Sequence, residues 1–450
     1  MTGAKRAVQD LGTRPVGRLL WWTCSQTTLS VGAYGIYALT NAWFVARGVG
    51  ETALAAVNLV APLLLLLGAV STTVGVGGAS LVSRSLGAGR PEEAGRAAGT
   101  SFSIFWAAAI FVAVAGLLFL DPLLRLVGAT DETLPYARPY AAVIFAGAIF
   151  STGFSSLIRA EGRMFFSTMV WTVAVFVQIV LDPLFIFVFK MGVTGAALGT
   201  VGGQAVSAGM AMWFFFIQRH RPYRIGWRDL RPRWSVAKAV LGIGAPSFLA
   251  GFGATMLAVV TNSTLAVSGA LVLAAYAVCS RVQTFVVMPQ TGIAQGLQPI
   301  AAYNAGLGKG MRVRRTLTLS VRASLIYGAG TAALVVAFAP TVVDAFLSVP
   351  EAQNAATEAL RIIAVGFVFA GIAHIISAYF QSLGAPTASY LISIGTLVGI
   401  KLPLVVGLGT MGPLGIWIAL SLGEALSALA AGVVLRVFGE RTKLVAEESA

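Results

Sequence analysis

The sequence predicts an all-α polytopic membrane protein, with twelve transmembrane helices in two six-helix lobes related by a parallel internal repeat. Three observations predict it. The 450 residues are 57% hydrophobic and only 11% charged, with a mean hydropathy of +0.84; a soluble domain carries about a quarter charged residues. Uncharged runs such as 53–83, 98–120, 164–181 and 323–343 are long enough to cross ~30 Å of hydrocarbon, and they lack the alternation of a β-barrel strand. The second half of the chain also repeats the first.

Bounded by Gly, Pro and charge, the spans are expected at 18–45, 53–83, 98–120, 134–158, 165–189, 193–217, 238–263, 270–300, 316–339, 359–382, 388–408 and 412–436. An even count places both termini on one side. Of the 31 Lys and Arg, only Arg47, Arg125, Arg138 and Lys190 fall in the loops opposite the termini, and Arg281, Arg322, Arg361 and Lys401 lie in or at the edges of spans. The remaining 23 share the side of the termini, which the positive-inside rule makes cytoplasmic. The net charge of +14 is concentrated at 219–233 and 309–315, between apolar runs, so it reads as inner loops and not as a nucleic-acid surface. The basic N-terminus lacks a short apolar core followed by a small-residue cleavage site and reads as a cytoplasmic tail. The expected organisation is an N-terminal lobe at 1–218, a basic cytoplasmic linker at 219–237, and a C-terminal lobe with its tail at 238–450, in the cell membrane.

The repeat is visible as "LAAVNLVAP" (54–62) and "LAAYAVCSR" (273–281), offset by 219. The same offset carries Gly77 to Gly296, Gly87 to Gly306, Gly89 to Gly308, Arg90 to Lys309 and Arg96 to Arg315. At offset 220, "MGVTGAALGTVGGQ" (191–204) meets "MGPLGIWIALSLGE" (411–424). Two like-oriented lobes suit a transporter in which one rocks against the other. No Walker motif occurs: "GLGKGM" (306–311) lacks the hydroxyl residue, and "VGVGGAS" (74–80) lies inside an apolar span. The only histidines are His220 and His374, and Cys24 and Cys279 sit in distant spans. No cofactor, metal site or catalytic constellation is expected. An ATP-driven pump or an enzyme is disfavoured, and a secondary transporter remains.

Of the 17 acidic residues, only Asp182 and Glu424 fall deep inside spans, where an ionisable group costs at least ~2.5 kcal/mol and is a functional candidate. At ~1.5 Å per residue, Asp182 lies ~12 Å from the outer end of span five. Asn41, Asn58 and Thr200 lie at ~9–12 Å by the same rise, and Gln178 is one turn from Asp182 on the same face. A carboxylate among amides and a hydroxyl can bind a proton or a hard cation such as Na⁺. Pro183 removes a backbone donor and can bend the helix beside it. In the second lobe, Arg281 and Glu424 lie at matching depth and suggest a buried pair, which need be no more than structural. Lys401 and His374 add titratable groups; His374 reads equally as a switch near neutral pH and as a packing histidine.

Several stretches resemble the MATE (multidrug and toxic compound extrusion) family: "GVGETALAAVNLVAPLLLLLGAVSTTVGVGGASLVSRSLGAGRPEEA" (48–94), "SLIRAEGR" (156–163), "LDPLFIFVFKMGVTGAALGT" (181–200), "MPQTGIAQGLQPIAAYNAG" (288–306), "YFQSLGAP" (379–386) and "GPLGIWIALSLGE" (412–424). The resemblance implies two six-helix lobes forming a V. It also implies export of bulky, often cationic organic compounds in exchange for Na⁺ or H⁺. One branch of the family uses an aspartate on helix one, an asparagine and an aspartate on helix five, and a threonine on helix six. The matching positions are Asn41, Gln178, Asp182 and Thr200, so one carboxylate stands where that branch has two, which suits a proton better than Na⁺. The second-lobe acids of another branch have no counterpart in "APSFLAGFGATM" (245–256), and helix ten offers only His374. The expected activity is therefore a monomeric, H⁺-coupled antiporter for small organic compounds. The alternative is a flippase for lipid-linked oligosaccharides of the same superfamily, which needs cavity cations that Arg281 and Lys401 would have to supply.

Overall fold

The structure is a computed structural model that describes residues 3–151, 153–218 and 220–447, with the side chains of 3–5, 34, 38, 62, 64–67, 69 and 440–447 outside the description. Arg219 of the expected linker and the last residues of the expected C-terminal tail therefore lie outside the described residues. Among the described residues all regular structure is helical. The first half of the chain forms α1 (Gly3–Thr13), α2 (Val16–Gly48), α3 (Glu51–Gly87), α4 (Pro91–Leu118), α5 (Leu120–Leu126), α6 (Leu134–Ala146), α7 (Ser155–Ala160), α8 (Met164–Pro183) and α9 (Gly192–Met212). The second half forms α10 (Trp234–Ala266), α11 (Ala270–Gly306), α12 (Gly310–Asp344), α13 (Pro350–Gly366), α14 (Ile372–Leu383), α15 (Pro386–Thr396), α16 (Leu402–Gly409) and α17 (Pro413–Glu447).

The twelve spans correspond to these helices singly or in short series. Among the described residues nine stretches are long and apolar enough to cross a membrane. They are spans three to nine, eleven and twelve; spans one and two are α2 and α3. Proline punctuates the series: α4, α13 and α15 each carry one in the first turn, where the missing N–H has no helical partner to lose. Span ten differs most from expectation. It begins at Pro350, with Glu351 in its first turn, and breaks at 367–371 before α14. Span four is likewise broken by a 3₁₀ turn at Gly147–Phe150. Pro183 ends α8, and a π-helical turn follows at Leu184–Val188; similar turns lie at Trp213–Ile217 and Leu397–Lys401. Such widened turns leave backbone groups out of the regular ladder and recur at functional sites.

The internal repeat is present in detail. Gly89 and Gly308, both at φ 70°, close equivalent turns after α3 and α11, a conformation costly for any residue with a Cβ. Ser167 Oγ donates to the Ser155 carbonyl at 3.0 Å, and Ser389 Oγ donates to the Ser377 carbonyl at 2.7 Å, the same bond displaced by 222 residues.

The chain divides into two compact units. One holds the described residues of 1–13 and 29–244, the other 14–28 and those of 245–450. The units therefore do not follow the two sequence halves: the first stretch of α2 belongs with the second half, and the first stretch of α10 with the first. Inside the first unit, Val45, Ala53, Ala56, Tyr140, Ile144 and Ile186 form one apolar cluster. In the second, Tyr276, Cys279, Leu360, Phe367 and Trp417 form another. Small residues such as Ala56 and Ala359, both fully buried, let helices approach where lipid gives no hydrophobic drive.

Candidate functional site

The first unit gathers three of the predicted polar residues around Asp182. Gln178 and Asp182 lie four residues apart on α8 and so share a face; α2 brings Asn41 and α9 brings Thr200. All four are buried, with Asp182 0% exposed. Asp182 Oδ2 accepts from Asn41 Nδ2 and from Gln178 Nε2, each at 3.3 Å. Gln178 Nε2 also donates to Thr200 Oγ1 at 3.3 Å, and Thr200 Oγ1 donates to the Ala196 carbonyl at 3.0 Å. Asp182 Oδ1 has no hydrogen-bond partner.

Small residues on α9 make room for this carboxylate. A Cβ on Gly199 would fall on Asp182 Oδ1, and one on Gly203 would come within 2.6 Å of the Ala174 carbonyl oxygen. Only glycines let α8 and α9 approach this closely. An ionised carboxylate withdrawn from water is costly unless paired or hydrogen-bonded. Here two amide donors serve one oxygen, no ion pair forms among the described residues, and the other oxygen stays unpartnered. Chemically, that oxygen is a place for one proton.

Asn58 does not join the cluster. Its depth on α3 matches, but Ala53, Ala56, Val57 and Val60 form the buried stripe of that helix while Asn58 is exposed. Depth was read from rise along the axis, and rise carries no information about direction around it.

The second unit corrects a pairing. Glu424 does not meet Arg281; its Oε1 lies 2.6 Å from Lys401 Nζ, and the two side chains are 13% and 18% exposed. Lys401 ends the π-helical turn that joins α15 to α16, which packs on α17, and its stem lies along Gly423. Arg281 has an exposed side chain, because the buried stripe of α11 at this level runs through Ala275, Tyr276, Val278 and Cys279. His374 is exposed on α14.

Glu161 is the ionisable residue that sequence reading missed. Flanked by Arg159 and Arg163, it looks like an ordinary loop acid, yet it forms an ion pair with Arg221 in which the side chains are 1% and 2% exposed. Arg221 Nη1 donates to the Phe215 carbonyl at 2.8 Å. Its guanidinium lies 5.1 Å from the ring centre of Phe214 and 4.5 Å from those of Phe215 and Tyr223, a geometry that favours a desolvated cation. Burial pushes the Tyr223 phenol well above its ordinary range, so it stays neutral. Nothing local in "RHRPYR" (219–224) singles out Arg221 from its neighbouring arginines, and its partner is 60 residues away.

The chain is similar over most of its length to known transport proteins. It is 26% identical over 422 residues to the multidrug export protein MepA of Staphylococcus haemolyticus (strain JCSC1435), covering 92% of this chain and 91% of the relative. It superposes with a TM-score of 0.90 on an outward-facing multidrug resistance MATE family transporter of the MOP superfamily, at 22% identity over 100% of this chain and 99% of the other. A MOP superfamily transporter from Pyrococcus furiosus Vc1 (DSM3638), whose binding pocket is described as having reverse polarity, gives 0.89 at 23% identity over 99% of each chain. The MatE family profile matches residues 28–184 and 246–406, one segment in each half. It takes in Asn41, Gln178 and Asp182 and leaves the linker out. With twelve helical spans, a repeated half and a profile match to both halves, this multi-pass membrane protein belongs to the MatE family.

Proposed function

We propose that the protein is an antiporter exporting small organic compounds, drugs, toxins or metabolites of cationic or amphipathic character, in exchange for protons that bind at Asp182. The observation that carries the reading is the Asp182 carboxylate itself: fully buried, with two amide donors on one oxygen, none on the other and, among the described residues, no ion-pair partner. In the ionised state the first lobe contains an uncompensated charge, and that charge favours an arrangement admitting water. A proton on Oδ1 removes the cost, so the helices beside Pro183 can close. Asn41 supplies amide donation where a second carboxylate would be needed for tight Na⁺ binding, which supports H⁺ as the coupling ion. The export specificity follows the activity that the relatives are named for. It works as a monomer, without catalysis, in the cell membrane with both termini inside. The flippase alternative loses support, because Lys401 is bonded to Glu424 and is not a free cavity cation.

The test is dye efflux with proton counterflow in proteoliposomes. Asp182→Asn is expected to fold and bind dye but to lose gradient-driven export, and Asp182→Glu to retain part of it with a changed pH profile. Export by Asp182→Asn at the wild-type rate and pH profile would overturn the assignment, as would wild-type export that requires Na⁺ and survives collapse of the pH gradient.

A further inference from the structure

The linker between the halves is held in place as a built element. The Arg221–Glu161 pair pins its start. Further along, the linker backbone lies on a small-residue stripe of α4. A Cβ on Gly95 would come within 2.6 Å of the Arg224 carbonyl oxygen, and one on Gly99 would strike that of Asp229. Ser103 Oγ donates to the Leu230 carbonyl. Asp229 is used locally, accepting from the Gly226 amide at 2.9 Å.

What this fixed backbone turns outward has one chemistry. Trp227 is 88% exposed and Trp234 78%, and Arg224, Arg228, Arg231 and Arg233 are all exposed. Among the described residues none of these arginines forms an ion pair, and the segment's only acid is Asp229. The chain enters the linker from a span ending at Ile217 and leaves it into α10 at Trp234, so the linker lies at the membrane boundary at both ends. Indole rings settle at the headgroup level of a bilayer, and clustered guanidiniums there attract anionic lipid. A purely topological signal needs the charges only; it needs neither the tryptophans nor the clamp.

We propose that residues 224–234 form a rigid platform on the first lobe that binds anionic phospholipid headgroups of the cytoplasmic leaflet, with Arg224, Arg228, Arg231 and Arg233 on the phosphates and Trp227 and Trp234 at headgroup depth. The proposal rests on the inward placement of the linker and is independent of Asp182.

The experiment titrates the full-length protein in detergent with dioleoylphosphatidylglycerol or dioleoylphosphatidylcholine and counts bound lipid by native mass spectrometry. The wild type is expected to prefer phosphatidylglycerol. Changing all four arginines to Gln, surface substitutions that leave the clamp intact, is expected to weaken phosphatidylglycerol binding about tenfold or more with phosphatidylcholine unaffected. Glu161→Gln keeps the four arginines but unpins the segment, and a several-fold loss is expected there too. Absence of a phosphatidylglycerol preference in the wild type, or a four-Gln variant that keeps it, overturns the proposal. So does displacement of the lipid by millimolar inorganic phosphate, which would make this a free-anion site. Undiminished binding by a folded Glu161→Gln protein overturns the rigid platform.

Discussion

Asp182 in the first half and Lys401 in the second lie at nearly matching positions of the repeat, Lys401 one residue before the equivalent of Asp182 at the offset of 220, and each is close to a π-helical turn. One position carries an acid with amide partners and, among the described residues, no counter-ion; the other carries a base with its own carboxylate, Glu424, 2.6 Å away. A helix break thus accompanies a lone carboxyl group in the first half and an ion pair in the second. An unbalanced buried group changes its energy greatly when it gains or loses a proton. A pair already neutral as a whole has less to gain. The two halves are similar in fold, and the choice of side chains leaves a lone acid in one and a paired base in the other.

The comparison breaks most visibly at Asp182, whose conversion to Asn should abolish coupled export. Next comes the Lys401–Glu424 pair. Lys401→Met leaves Glu424 partly buried without a partner and should cost about 3 kcal/mol. Adding Glu424→Gln should recover most of it, as measured by thermal unfolding in detergent. Singles and double that simply add would show no coupling. Gly199→Ala sharpens the other side: its new methyl group meets Asp182 Oδ1, so a loss of about 1–3 kcal/mol is expected from overpacking, with weakened efflux. The smallest effect belongs to Arg281→Met. With an exposed side chain outside the Lys401–Glu424 pair, it should change stability by less than about 0.5 kcal/mol, and a loss comparable with that of Lys401→Met would show that Arg281 shares the pair's charge.

Hydropathy and charge made the spans legible, because crossing a bilayer demands long apolar runs and an uneven sharing of arginine between the two sides. Counting residues from loop to polar group also brought Asn41, Asp182 and Thr200 to one level, with Gln178 one turn away on the face of Asp182, and α2, α8 and α9 do join them. The same counting failed for Asn58 and for the Arg281–Glu424 pair. Position along a helix axis leaves direction around it open, and Lys401 reaches Glu424 from a neighbouring helix. Glu161 was hidden for a different reason. Its burial depends on the linker folding back over 60 residues, and no local pattern records that return. The turn at 367–371 was equally silent, since "FVFAG" is apolar enough to continue a helix.

The division of the compact units has a consequence for anyone who cuts this gene in two. A break within 219–237 would give one fragment holding residues 14–28 of the second unit, and another holding the stretch up to 244 that belongs to the first. Neither fragment encodes a whole unit, so neither is a self-sufficient domain. The two halves of the sequence repeat one another, but the long first helix of each is divided between the two units, so a cut at the seam of the repeat is not a cut between units.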